Sequence, residues 1–232
     1  MMSRSFGIVD AKVAEANFFL ECLAEAGANF FKGRCYFSAF VTSARSITYA
    51  MQAAINDLPG FNEWYAEQQA ALRSDDIARF FSEARVLDHH VGVNLVAGGS
   101  MTRESDGTLR ITHHFASDST RAPVPQMDVN EACLHYLRAL VALVFACYCR
   151  FGELIDPHEY YTAEAFGRRG LSIEDAEEEI FGWRGWTDAP GVPVAERWQI
   201  IRESVVPCNI NHLFEKYLGK VLPSARQQGG AT

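Results

Sequence analysis

The 232-residue sequence predicts a mainly α-helical protein: an up-and-down four-helix bundle interrupted by one β-hairpin and followed by a C-terminal helical extension. Three observations lead there. Apolar residues recur at steps of three and four along four long segments. One stretch switches to period two around Asp106-Gly107. Beyond Asp156-Pro157 the pattern breaks into short helical pieces separated by turns rich in Gly and Pro.

In the first helix, from about Asp10 to Ala26, the residues Val13, Ala16, Leu20 and Leu23 share a face, Asp10 is placed to cap, and Gly27 suits the end. The second carries the stripe Phe37, Val41, Ala44, Thr48, Met51 and Ile55 from about Arg34 to Ile55, before Pro59-Gly60 stops it. The two form an antiparallel hairpin, and FNEWYAEQQAAL supplies a short connecting helix. Ser74-Asp75-Asp76 caps the third main helix, whose core face is Ile77, Phe80, Phe81, Ala84 and Leu87. After His90, VGVNLVAGG and TLRITHHFA flank the Asp106-Gly107 turn, with Leu109, Ile111, His113 and Phe115 alternating, which predicts a β-hairpin at about 91–116. RAPVPQMD leads into the fourth and most apolar helix, about Val129 to Leu154. Residues 1–156 are thus assigned to the bundle. Residues 157–232 form an irregular extension packed on it, with helices at SIEDAEEEIF, VAERWQIIRESV and NHLFEKYL and a disordered tail from about 224.

The balance of 21 Lys plus Arg against 29 Asp plus Glu gives a net charge of −8, spread through both halves. Long duplexes are bound largely by phosphate neutralisation, so any nucleic-acid role here must be local. MMSRSFGIVD lacks the apolar core of an export signal, and ALVALVFACYC is too short to cross a bilayer; the expectation is a cytoplasmic protein with no membrane partner. The six cysteines form no CxxC pair, and no GxGxxG, GxxxxGK[ST] or GxSxG motif appears, so no cofactor is expected.

The chemistry rests on FFSEARVLDHHVG. Arg85 and His89 stand at i,i+4 on one helical face, whereas His90 joins Arg85 only if the helix ends or kinks near Gly92. An imidazole there can move a proton to or from a ribose hydroxyl or leaving oxygen while the guanidinium holds the phosphate oxygens, without a metal. The alternative is structural: Asp88 pairs with Arg85, and the histidines complement the helix C-terminus. Arg45 interrupts the second helix's apolar stripe; it either lines the same groove as Arg85 or pairs with a carboxylate such as Glu83. His113 or His114 on the hairpin is expected to face that groove. A metal reading would draw on these histidines with Glu131 and His135, but adjacent strand histidines point to opposite faces, so no metal site is assigned. Trp183, Trp186, Tyr160 and Tyr161 either stack bases or pack the extension onto the body.

FKGRCYFSAFVTSARSITYAMQ, PGFNEWYAEQQAAL and DDIARFFSEARVLDHH together resemble bacterial members of the HEPN superfamily, in which a long second helix and a Trp-containing connector precede a helix ending in Arg, four to six residues, then His. The resemblance covers roughly residues 10–153. It implies a four-helix bundle paired as a homodimer and, in active members, a metal-independent ribonuclease joining two motifs across the dimer, in toxin-antitoxin or defence settings. Carried over by position, Arg85 would bind phosphate and His90 would be the acid or base; apart from the resemblance, the residues themselves offer Arg45, His89 and His113 as further phosphate or ligand contacts. Catalytic members follow the arginine with a polar residue, commonly Asn; here Val86 stands there. That departure keeps a second reading open, a non-catalytic HEPN-like module that binds a nucleotide or a protein partner.

Overall fold

The computed structural model describes residues 6–87, 95–116 and 120–222. The protein is mainly helical with one small antiparallel sheet: α1 (Gly7–Glu25), α2 (Phe30–Ile55), α3 (Phe61–Ser74), α4 (Asp76–Val86), β1 (Val96–Arg103), β2 (Leu109–Phe115), α5 (Val129–Ile155), then α6 (Pro157–Tyr160), α7 (Ala163–Arg168), α8 (Ile173–Phe181), α9 (Val194–Glu203) and α10 (Asn211–Leu218). Two compact units divide it, one holding Ile8–Leu143 and the other residues 144–222 with Phe6 and Gly7. The division falls inside α5, earlier than the 156/157 boundary expected from the sequence.

In the first unit, helix starts follow local capping chemistry. Asn29 caps α2 by accepting a hydrogen bond from Lys32 N at 3.1 Å, so α2 begins one turn before the expected Arg34. Helix α1 likewise begins at Gly7, which leaves Asp10 buried in the first turn rather than at the cap. Asp75 caps α4 by accepting from Ala78 N at 2.9 Å. The core is aromatic. Phe81 of α4 meets Phe37 and Phe40 of α2 edge-on or tilted, with centroids 6.1 and 5.9 Å away, and stacks on Tyr136 of α5 at 4.6 Å and 2°. Phe80 meets Phe115 of β2 at 4.8 Å. Such pairs add about 0.5–1.5 kcal/mol each beyond area burial and fix relative orientation.

β1 and β2 pair from Val96↔Phe115 to Arg103↔Leu109, with an irregularity between Val96 and Gly98. Gly107 takes φ +87° in the connecting turn, where Asp106 accepts from Thr108 N. Residues 91–94 of the expected first strand lie outside the described residues; β1 continues beyond the expected VAGG through SMTR to pair with the whole of β2. The alternating face of β2 points His113 and Phe115 inward. The His113 ring is 2 % exposed; its Nε2 lies 2.9 Å from the Gly27 carbonyl, so it donates there, and its backbone N–H donates to Asp128 at 2.6 Å. The ring fits only because residue 33 of α2 is glycine: a Cβ there would meet His113 Cε1 at 2.6 Å and Nδ1 at 2.9 Å.

The second unit has a small core of Phe166, Ile173, Ala176 and Ile201. Beside it Glu177, fully buried, accepts hydrogen bonds from the backbone N–H groups of Gly185 (2.6 Å) and Thr187 (2.9 Å), from the Thr187 hydroxyl, and from Arg197 (3.0 Å). The carboxylate thereby ties the FGWRGWTDAPG loop to α8 and α9. Trp183 and Trp186 remain 67 % and 62 % exposed, Trp186 stacking on Phe181 at 5.4 Å. Helix α5 is long and apolar enough to cross a membrane by length and composition, and 56 % of its most apolar window is buried inside the fold.

Two outcomes follow. Ala is the better helix former by about 0.5–1 kcal/mol, yet Gly33→Ala should destabilise the protein by about 1–3 kcal/mol because the new methyl overlaps the His113 ring, and adding His113→Ala should relieve much of that loss; a double-mutant cycle in urea checks it. For Glu177, burial opposes ionisation, but the Thr187, Arg197 and Gly185 bonds outweigh it and hold the carboxyl at about 2 against an ordinary 4.5. A depressed folded value means that the stabilisation is complete above pH about 5 and is lost as pH falls from 4.5 toward 2. Glu177→Gln should therefore cost about 3 kcal/mol at pH 7, with the gap from wild type closing near pH 2 in thermal or urea unfolding.

Candidate functional site

Where α2, α3, α4 and the start of α5 converge, within the first unit, a cleft of about 400 Å³ opens. Its walls carry Arg45 from α2, Tyr65 and Arg73 from α3, Arg79 from α4, Arg121 from the segment before α5, and Tyr136 from α5. Tyr65 and Tyr136 are buried, 6 % and 3 % exposed, whereas Arg73, Arg79 and Arg121 are exposed. Among the described residues one carboxylate lines the cleft. Glu83 directs a single oxygen at the backbone N–H groups of Arg121 (2.7 Å) and Ala122 (3.0 Å), which fastens the strap of residues 120–123 to α4 as one wall.

Arg45 is the pivot. Its guanidinium lies 4.8 Å from the centroid of Tyr49, one turn on along α2, and donates to Thr48 Oγ1 at 3.4 Å. Arg85 of α4 approaches the same Tyr49 ring at 5.7 Å. Two half-buried guanidiniums therefore flank one ring that is 45 % exposed. Among the described residues neither has a carboxylate within ion-pair distance, whereas Arg79 pairs with Asp76. Burial pushes the Tyr136 hydroxyl up to about 12, with the Arg45 guanidinium partly opposing, so at neutral pH it remains a phenol that can donate a hydrogen bond. Planar cations beside an exposed ring suit an anion carrying a stackable base.

The two alternatives for Arg45 are thus separated: it lines the cleft and shares Tyr49 with Arg85, and Glu83 is engaged with backbone instead. His89 and His90 lie outside the described residues, as does Asp88. Arg85 sits in the last turn of α4, whose C-cap is Leu87. His113 corrects the expectation of a groove-facing hairpin histidine: it is closed against Gly27 and Gly33 and contributes nothing to the cleft. His114 faces outward, 3.1 Å from the Ser100 hydroxyl, on a second pocket shared with Asp128 and Glu131. His135 bonds Asp75 at 3.2 Å, away from Glu131. Among the described residues no group of three or more His, Cys, Asp or Glu converges as a metal site.

Sequence reasoning missed Tyr49, Arg73, Arg79, Arg121 and Tyr136. The i,i+4 pair Arg45/Tyr49 is a readable signal. Arg121, by contrast, reaches the site through a strap whose path depends on Glu83. No family model, curated protein or solved structure matches this chain.

Proposed function

We propose that the first unit is a HEPN-like four-helix bundle that binds single-stranded RNA in the cytoplasm, using Arg45 and Arg85 on phosphate oxygens and Tyr49 as a stacking platform. The observation that carries this reading is the pair of guanidiniums on one exposed tyrosine ring, neither with a carboxylate at ion-pair distance among the described residues. An acidic chain gives duplexes little long-range attraction, but a local site of this kind suits unpaired bases, which stack on aromatic rings and leave their phosphates accessible. In this reading α5 is a core helix.

A second reading, RNA cleavage, is favoured by the position of Arg85 in the last turn of α4, with His90 five residues on. His90 would move the proton while Arg85 and Arg45 stabilise the charged phosphate, and homodimer pairing would bring two motifs together. The chemistry uses no metal.

Fluorescence anisotropy with a short single-stranded RNA at low salt tests the binding. Tyr49→Ala should weaken it by about 1–3 kcal/mol, and Arg85→Lys should recover only part of what Arg85→Ala loses, because an ammonium lacks the planar fork. If cleavage accompanies binding, His90→Ala should lower its rate by about 10² to 10⁴-fold, with EDTA having no effect. Binding without cleavage would remove His90 from the account and leave an RNA-binding module. Wild-type protein that binds no RNA would overturn the RNA reading and favour a protein or nucleotide partner.

A further inference from the structure

The two guanidiniums on Tyr49 are enough for a strand passing over the surface; the cleft next to them holds more charge than an internal phosphate can use. Besides Arg45 it carries Arg73, Arg79 and Arg121 against, among the described residues, the single carboxylate of Glu83, whose Oε2 already accepts from two backbone N–H groups. Arg79 has Asp76 as its partner, but among the described residues Arg73 donates to the neutral Gln69 alone, at 3.5 Å. An internal phosphodiester brings one negative charge. A terminal phosphate brings nearly two at neutral pH, and a di- or triphosphate more, with the extra acceptor oxygens that several guanidiniums can share.

The shape agrees with the charge. About 400 Å³ falls within the range of small-ligand pockets, large enough for a nucleotide's phosphate end and far too small for a duplex. The inner lining includes the buried Tyr65 and Tyr136, while Arg73 and Arg121 stand exposed. A strand entering past Tyr49 meets a cleft walled in part by the buried Tyr65 and Tyr136, with room for a terminal phosphate among its arginines. Arg45 belongs to both places, touching Tyr49 and lining the cleft.

We propose that this cleft is a terminal-phosphate pocket, which makes the protein selective for a nucleotide or RNA end bearing a phosphomonoester or polyphosphate. The inference rests on the reading that Arg45, Tyr49 and Arg85 bind RNA. Arg121 and Arg73 are the residues that discriminate, because they extend the site beyond Arg45 to a second set of phosphate oxygens.

The test compares one short oligoribonucleotide in four forms, with hydroxyls at both ends, a 3′-phosphate, a 5′-phosphate or a 5′-triphosphate, together with free ATP and inorganic pyrophosphate as competitors. Wild-type protein should bind a terminally phosphorylated form about tenfold or more tightly than the hydroxyl form. Pyrophosphate should erase that preference. Arg121→Gln and Arg73→Gln, both at exposed positions and checked for an unchanged thermal unfolding curve, should reduce the ratio toward one, while Arg168→Gln in the second unit should leave it intact. Equal affinity for phosphorylated and hydroxyl ends would overturn the pocket while leaving RNA binding in place. Binding of ATP or pyrophosphate without binding of any oligonucleotide would support the pocket, assign it to free nucleotides and remove the RNA reading. No binding of any of these probes would overturn both.

Discussion

Everything about the candidate site depends on where Phe81 is held. Its ring lies against Phe37 and Phe40 of α2 on one side and stacks on Tyr136 of α5 on the other. Because aromatic contacts of this kind restrict both distance and tilt, they fix α4 against α2 and α5 at once. Arg85 lies four residues beyond Phe81 on α4, Arg45 lies five beyond Phe40 on α2, and Tyr136 is itself a wall of the cleft. Two arginines with no carboxylate partner among the described residues are thereby brought to one tyrosine by an apolar core. The packing offsets the repulsion between like charges, and beyond the Arg45 bond to Thr48 the two guanidiniums retain donors for a ligand.

The electrostatics are correspondingly local. A net charge of −8 keeps the whole chain from attracting polyanions at long range, yet one cleft concentrates four guanidiniums. Elsewhere the protein uses arginine differently. In the second unit Arg197 is buried, and Glu177, Glu174 and the Thr187 hydroxyl occupy its donors, so that arginine is structural. Buried and ion-paired in the second unit, and exposed or half-buried with weaker polar partners in most of the cleft, the same side chain suits stability in one place and recognition in the other.

The helices were largely legible in the sequence because periodic burial and caps are local properties: the stripe on α2, the Asp75 cap of α4 and the apolar run of α5 all correspond to observed elements. Their starts were less so. Asn29 and Gly33 read as loop residues until the Asn29 side chain is seen to cap and Gly33 to accept the His113 ring. The site was legible only in outline. Arg45 could be named from its interruption of an apolar stripe and Arg85 from its spacing to His89 and His90, but Arg73, Arg79 and Arg121 look like ordinary surface charge until α3 and the 120–123 strap are folded beside them. His113 misled for the converse reason: a histidine alternating with Leu109, Ile111 and Phe115 belongs to the buried face, and that pattern was the better guide to its role.

The most direct measurement is a crystal structure of the full chain with a 5′-phosphorylated dinucleotide. The account predicts a base over the Tyr49 ring and the terminal phosphate within about 2.7–3.2 Å of the Arg45 guanidinium and of Arg73 or Arg121. A dinucleotide bound elsewhere on the protein, with Arg45 and Arg85 still resting on an uncovered Tyr49, would contradict it.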